Sequence, residues 1–525
     1  MPLINGLSRP YELLIRLLLA SSSVVILYLA MPGGSFPLLT WVALVPAGLA
    51  IAKLPARYSA ALLYLYAVSG YLVTINWLIP ALVKFTHMNS FFAFLILLTF
   101  CLILAIPYAI IGGLIGYKNW LDKPFGIVFI SAAYTVVLVC FPTVIPINHA
   151  HCLYQFPIFL QVLDLGGVPA ILFVVVFVNW QIVKAIVSFK SSSNTSIYAL
   201  LRGAALLAII CLYGAFQIDQ IERSTKEQGH SLKVGMIQPY LLREDSLDRL
   251  YSMSLKLVRD NPEIDLLVWP EFPTAFSYVE NAQDKYKINR LIKLIKKPIL
   301  LVSGYIYETP PVPTKKEPHY YNTAQLIDEN AVLQDSYAKQ ILVPFFEYLP
   351  AEERYPFLRD FFPGALFYIP GEEFTLFDLN ADTHIIPLIC YETVFPKMTQ
   401  TFVELGGNII INLTNDVWFG DSRGSASHFA VGLFRSIEHR VPWIRATNSG
   451  VSGVAKATGE IIDGSTTPLF ETATRVFEVG IPPERSIYSR YGDVFLYGLV
   501  LVLLFGLFKD KFWRVLGQSR ADRKT

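Results

Sequence analysis

Charge is what this chain has least of. Only 16% of its 525 residues are Asp, Glu, Lys or Arg, against roughly 25% in soluble domains. With 54% hydrophobic residues and a mean hydropathy of +0.46, the chain is neither disordered nor fibrous, and part of it does not face water. The formal net charge is +2 and no basic run stands outside the C-terminal tail. Nucleic acid, which needs a basic footprint, is therefore excluded as a partner. No metal-ligand spacing and no nucleotide loop appear, so no metal and no cofactor are expected. Cysteine is sparse as well. Cys101, Cys140, Cys152 and Cys211 fall in the apolar half and leave Cys390 alone beyond it, which rules out a disulfide within the polar part and a thiolate metal site there.

What the chain does have is apolar runs, concentrated before about residue 220 and again near the C-terminus, with a composition boundary near Gln217 to Ser231. A bilayer core takes about 20 apolar residues in a helix. Windows of that kind lie at 11–31, 58–79, 90–117, 124–142, 167–188, 197–217 and 491–508, and a shorter one at 36–52 is interrupted by Pro46. The expected organisation is a seven-helix membrane domain over 1–220, a soluble domain over 231–485, and a final helix with a basic tail over 486–525. No A-x-A-like site follows the first window, so it is expected to stay as an uncleaved span. Gly112-x-x-x-Gly116 is a weak mark of close helix packing.

Lys and Arg in the short loops orient the chain. With the N-terminus inside, the inner segments hold Arg9, then Lys53 and Arg57, Lys118 and Lys123, Lys184 and Lys190, and finally the tail from Lys509 to Lys524. The outer loops hold little beyond Lys84. The alternation works only if 36–52 crosses. Seven crossings then leave the polar domain outside the cytoplasmic membrane, and an eighth returns the tail.

From Leu232 onward, short β-branched runs alternate with amphipathic stretches. LKVGMIQ (232–238), DLLVWPE (265–271), ILLVSGYIY (299–307), THIIPLICYE (383–392) and NIIINLTND (408–416) read as strands buried on both faces, with helices over Leu247 to Asn261 and Tyr286 to Lys297. That is an α/β layered sheet, whose ligands gather at strand ends. Glu271 and Cys390 each close such a strand, and Lys339 lies in SYAKQILVPFFEYLP ahead of Glu347. Taken singly, Glu271 reads as a solvated loop carboxylate, Lys339 as a surface lysine and Cys390 as a small buried hydrophobe. A lone thiol on the oxidising side of a membrane is a liability unless it has work to do. Together the three residue types make a nucleophilic site: a thiol to be deprotonated, a carboxylate raised by burial to accept its proton, and an ammonium that stabilises the thiolate and then an oxyanion, helped by the Tyr391 N–H.

WPEFP around Glu271, YNTAQLID (321–328), YAKQILVPFFEYLP around Lys339, LICYE around Cys390, LTNDVWFGDS (413–422) and IRATNSGVSG (444–453) together resemble the carbon–nitrogen hydrolase, or nitrilase, superfamily. Within it the chain is similar to the apolipoprotein N-acyltransferase family. That similarity extends to the membrane half through FP at 141–142, PIFLQVLDLGGV (157–168) and FVVVFVN (173–179). The resemblance implies a four-layer α-β-β-α sandwich on about eight transmembrane helices of the bacterial inner membrane, catalytic on the periplasmic side. It assigns Glu271 as general base, Lys339 as oxyanion-stabilising cation and Cys390 as nucleophile. Glu347, Tyr391, Glu392 and Glu438 match supporting positions, and Asn412, Asn415, Trp418, Phe419 and Gly167 are its candidates for substrate contact. The implied reaction is ping-pong acyl transfer from a phospholipid, through a Cys thioester, to a diacylglyceryl apolipoprotein. A monomer is expected.

Three positions depart from the family pattern: Ile341 in place of a His, Phe346 in place of a Gly, and QPYLLRED (238–245) in place of a Gly-Asn-Ile-Pro-Gln run. Phe345, Phe346, Phe361, Phe362, Phe367, Trp418 and Phe419 could line an acyl slot or dip into lipid, with ordinary core packing as the alternative. Two rival functions remain at this level. One is a membrane-anchored nitrilase-type amidase that releases its acyl group to water, for which the seven-span preamble is superfluous. The other is a transporter or scaffold, which fits poorly with spans that carry no charge array.

Overall fold

The computed structural model describes residues 9–240, 246–271, 282–308, 319–352, 354–362 and 368–522. Pro273, Phe367, Arg523, Lys524 and the 241–245 part of QPYLLRED lie outside them.

Among the described residues, four helical runs are long and apolar enough to cross a bilayer: Pro10–Ala30, Ser90–Lys118, Leu163–Ser188 and Ser193–Gln228. A fifth candidate is a broken pair, Ala56–Thr74 and Leu78–Lys84, bent by 51°, and three shorter apolar helices cover Pro37–Ile51, Gly126–Cys140 and Val494–Phe508. The short 37–51 segment switches from a 3-10 turn (Pro37–Trp41) to an α-helix (Val45–Ile51). Such a break strands backbone groups that lipid cannot satisfy. Here buried side chains take them up. Asn179 accepts from Leu44 N–H at 2.9 Å and donates to the Thr40 carbonyl at 3.0 Å, and Ser23 Oγ accepts from Ala47 N–H at 2.8 Å. The Gly112 and Gly116 positions do mark close packing. A Cβ on Gly112 would stand 2.4 Å from the Ser59 carbonyl oxygen, and one on Gly116 would stand 2.8 Å from Ala56.

The helix holding the 197–217 window is longer than the window. It runs unbroken over Ser193–Gln228, and only Gly229 separates it from the first strand. Its polar extension contains the i,i+4 pair Asp219–Arg223, which supports helix in water. The composition boundary therefore falls inside a helix rather than in a linker.

Among its described residues the soluble part holds eleven strands: β1 His230–Gln238, β2 Leu266–Val268, β3 Ile299–Glu308, β4 His319–Ile327, β5 Leu333–Ala338, β6 Phe377–Asn380, β7 Thr383–Ile389, β8 Ile409–Thr414, β9 Trp443–Thr447, β10 Gly453–Ala455 and β11 Ala473–Ile481. They form a six-stranded sheet in the order β11-β1-β2-β3-β4-β5 and a five-stranded sheet in the order β10-β9-β8-β7-β6. Strands β1, β2 and β3 run parallel, as do β7, β8 and β9.

Alternation explains the layering. In the first sheet Leu232, Val234, Met236, Leu266, Val268, Leu300, Ala324 and Leu326 join the core that also holds Ile385, Leu388 and Ile410 of the second sheet. Their neighbours Ile237, Leu267, Trp269, Ile299 and Ile327 face the other way, onto the helices Ser246–Asp260 and Ala282–Ile295. The helices Pro396–Glu404 and Gly424–His439 belong to the second half of the domain, and Phe429 of the latter packs edge-on against Trp443 of β9 at 5.1 Å. The result is an α-β-β-α sandwich, as expected.

Candidate active site

Cys390 follows β7 directly and has φ +50°, a left-handed conformation that a side chain other than glycine rarely adopts. It opens a 3-10 turn over Cys390–Val394. This strained turn lifts the thiol off the strand end. Glu271 lies three residues beyond β2, and Lys339 is the first residue after β5. Tertiary structure brings all three together. The Glu271 and Lys339 charges both act on the Cys390 thiol. Lys339 Nζ lies 3.9 Å from Glu271 Oε1 and 2.7 Å from Glu347 Oε1. All four side chains are buried.

Burial raises the Glu271 carboxyl above the ordinary carboxylate range. The Lys339 charge opposes that rise and the Glu347 charge reinforces it. Burial works against the Lys339 ammonium, but Glu347 and Glu271 outweigh it and hold the lysine protonated. Burial, with the Glu271 charge beside it, also pushes the Cys390 thiol up, while Lys339 pulls the other way. The resting site is therefore a neutral thiol beside a carboxylate of raised basicity and a fixed cation. It can pass a proton from sulfur to Glu271 while an acyl group is attacked.

Two carboxylates act as struts. Glu347 accepts from Lys339 and, at 2.7 Å, from Val343 N–H. Glu392 accepts from Tyr337 OH at 2.6 Å, Gln340 N–H at 2.7 Å and Ile341 N–H at 3.3 Å, all flanking Lys339, and from Ile389 N–H at 2.8 Å, just before Cys390. It thereby ties the lysine strand to the cysteine strand. Tyr391 reaches the membrane half, donating its hydroxyl proton to the Val144 carbonyl at 2.6 Å.

Other expected residues sit elsewhere. Glu438 has no triad residue among its partners: it pairs with Arg435 at 3.0 Å and accepts from Val168 N–H at 3.2 Å. That N–H opens the second half of helix Leu163–Ser188, which breaks at Gly166 and Gly167. Gly167, at φ +61°, packs against the Tyr488 ring. Glu438 and Gly167 thus belong to the seam between the soluble and membrane parts, where a carboxylate satisfies a broken helix. Asn412 is fully buried behind Cys390 and bonds the Leu388 and Cys390 carbonyls, each at 3.2 Å. Asn415 caps the turn Asp416–Phe419 through Val417 N–H at 3.2 Å.

Trp418 packs edge-on against Phe346 with ring centroids 5.2 Å apart, and Phe419 packs on Trp77, at the bend of the broken membrane helix, at 4.6 Å. Phe346 and Phe362 join a cluster with Leu82 and Ala93 of the membrane helices. The Gly-to-Phe departure at 346 has thus become a contact between an active-site loop and the membrane part. Ile341, the second departure, is a partly buried side chain packed on the main core.

Several residues of the site carry no signal in isolation. Asn322, inside the YNTAQLID motif, donates to Glu271 at 2.8 Å and Glu347 at 3.4 Å. Asp416, His428 and Arg445 form a buried cluster next to the cysteine turn. They come from three separate elements that the sequence spaces 12 and 17 residues apart. Among the described residues no group of His, Cys, Asp and Glu is arranged to hold a metal ion.

Two family models match the chain: "Carbon-nitrogen hydrolase" over residues 224–480 and "Apolipoprotein N-acyltransferase N-terminal domain" over residues 23–181. The chain is 26% identical over 498 residues to the apolipoprotein N-acyltransferase of Geobacter metallireducens, covering 92% of this chain and 93% of that protein. It is 25% identical over 523 residues to that of Borreliella burgdorferi, covering 94% and 95%. Among solved structures, an amidase from Nesterenkonia sp. aligns with 51% of this chain and 95% of its own at 16% identity and a TM-score of 0.37.

Proposed function

Because the chain belongs to the apolipoprotein N-acyltransferase family of the carbon–nitrogen hydrolases, we propose that it moves an acyl chain from a phospholipid to the α-amino group of a diacylglyceryl-cysteine lipoprotein, with Cys390 as carrier. The observation that carries this reading is the convergence of Cys390, Glu271 and Lys339 in one buried site. The loops of that site, through Trp418, Phe419 and Phe346, pack on membrane helices.

In the first half-reaction the Cys390 sulfur attacks the ester carbonyl as its proton passes to Glu271. The oxyanion so formed is neutralised by Lys339 and the Tyr391 N–H. The intermediate collapses, the C–O bond to glycerol breaks, and Glu271 returns the proton to the departing alkoxide, leaving a thioester and a lysophospholipid. In the second half-reaction the neutral amine attacks the thioester, Glu271 takes a proton from nitrogen, and the C–S bond breaks. The thiolate recovers its proton and the N-acylated lipoprotein leaves.

Both substrates are anchored in lipid, each buried CH₂ holding them by about 0.8 kcal/mol. A site seated on the membrane helices lets them enter sideways without leaving the bilayer. Eight crossings are supported by the four long helices, the bent pair and the three shorter apolar helices. Together with the Lys and Arg bias of the loops, they support a catalytic domain on the periplasmic side of the inner membrane.

The test is intact-mass analysis of the purified protein with phospholipid alone, then with a diacylglyceryl peptide. An acyl adduct on Cys390 that survives in water and discharges onto the peptide amine supports transfer. An adduct lost to water at the same rate with and without peptide means a hydrolytic amidase, and no adduct means Cys390 carries no acyl group.

A further inference from the structure

The Cys390 carbonyl oxygen is held from two sides. Asn412 Nδ2 donates to it at 3.2 Å and His428 Nε2 at 3.3 Å. A carbonyl oxygen only accepts, so the imidazole must carry its proton on Nε2. The far nitrogen, Nδ1, lies 3.0 Å from Arg445 Nη2, a group that only donates, and faces the Asp416 carboxylate, which only accepts. Burial, with the Arg445 charge next to it, pushes His428 below its ordinary value, while the Asp416 charge opposes that fall. Asp416 lies 3.0 Å from Nδ1, and its own carboxylate takes Arg445 Nη2 at 2.7 Å and Ser425 Oγ at 2.5 Å. Arg445 Nη1 in turn donates to Asn412 Oδ1 at 2.8 Å. Both donors to the carbonyl are therefore fixed by the same arginine, which is itself fully buried.

The peptide unit that carries this carbonyl also carries the Tyr391 N–H. A trans peptide is planar, with its C=O and N–H pointing in opposite directions. Holding the oxygen toward His428 and Asn412 therefore turns the N–H the opposite way. That N–H belongs to the first turn of the 3-10 segment Cys390–Val394, where N–H groups have no carbonyl within the turn to bond. Hydrogen bonds received by the oxygen also polarise the N–H of the same amide and strengthen it as a donor. At a left-handed cysteine such as this one, with φ +50°, the peptide would otherwise be free to relax by rotating its plane.

We propose that His428 is a positioning residue which, with Asn412, anchors the Cys390 carbonyl so that the Tyr391 N–H is aimed at the oxyanion formed on acylation. The inference rests on the reading of Cys390 as the acyl carrier. It gives a role to a buried histidine that the proton transfers above do not use. Phe419, against the His428 ring at 5.8 Å, and Trp77 beyond it at the membrane-helix bend link this support to the face where lipid would enter.

The test exploits a reaction that builds no oxyanion. Iodoacetamide alkylates a thiolate by displacing iodide from a saturated carbon, whereas acylation passes through a tetrahedral oxyanion. Full-length protein in detergent is compared as wild type, His428→Asn and His428→Gln. Acylation is followed by intact mass with dioleoylphosphatidylethanolamine, and alkylation of Cys390 by peptide mass. An Asn amide reaches the Nδ1 position but not the carbonyl, while a Gln amide reaches the Nε2 position and can donate.

His428→Asn should acylate roughly 10- to 100-fold more slowly, as expected for a misaimed oxyanion donor, with alkylation unchanged. His428→Gln should recover most of the acylation rate. Wild-type acylation by His428→Asn overturns the proposal, as does a His428→Gln protein as slow as His428→Asn. A parallel fall in alkylation, or a His428→Asn protein too unstable to purify, assigns the imidazole to the fold and overturns it too. A wild type that never takes up an acyl group at Cys390 sinks the parent reading, whereas wild-type acylation matched by His428→Asn sinks this inference alone.

Discussion

Removing the Glu392 carboxylate should damage the protein in two separable ways. Its two oxygens accept from one hydroxyl and three backbone N–H groups, and burial pushes its carboxyl up to about 7. Glu392→Ala leaves those donors without an acceptor in a fully buried place. Each unsatisfied buried donor costs about 1–3 kcal/mol, so the total is on the order of 5 kcal/mol, comparable with the whole stability of a domain. The alanine variant should therefore fail to accumulate. Glu392→Gln keeps the shape and one oxygen but points an NH₂ group at an N–H, a loss of about 1–3 kcal/mol. It should fold with a lowered thermal midpoint. Because Gln340 and Ile341 follow Lys339 and Ile389 precedes Cys390, the glutamine variant should also let the cation drift from the sulfur. A displacement of about 1 Å is worth about 10²-fold in rate. Intact-mass kinetics of acyl-enzyme formation and thermal unfolding in detergent read both effects. A Glu392→Gln protein that acylates at the wild-type rate with an unchanged midpoint would refute the view that this carboxylate couples the two strands.

Cys390→Ser should keep the fold and lose both the acyl adduct and N-acylation, checked by intact mass beside thermal unfolding, and normal turnover by the folded variant would remove Cys390 as nucleophile. Glu271→Gln should block adduct formation. In the wild type the acylation rate should rise with pH as Glu271 loses its proton, and because burial raises that carboxyl, the rise should come above the ordinary carboxylate range; a stopped-flow pH profile locates it. Gly167→Ala places a Cβ 2.8 Å from the Tyr488 ring at φ +61°, and strain with overpacking should cost about 2–4 kcal/mol, read as a lowered thermal midpoint that relaxes in a Gly167→Ala/Tyr488→Ala double variant.

The sequence by itself determined the division into an apolar and a polar part, the strands that lead into Glu271 and Cys390, and the layered sheet. Each of these is written in local pattern: apolar runs long enough for a bilayer, and short β-branched runs buried on both faces. Tertiary structure alone decided which polar residues meet. Asn322, Asp416, His428 and Arg445 are each unremarkable in the chain, and they act on the site because strands from two sheets end side by side. The same holds for the placement of Glu438 and Gly167 at the seam with the membrane part, and of Asn412 behind the cysteine turn. A side chain's partners depend on distances across the fold, and periodicity carries no information about those.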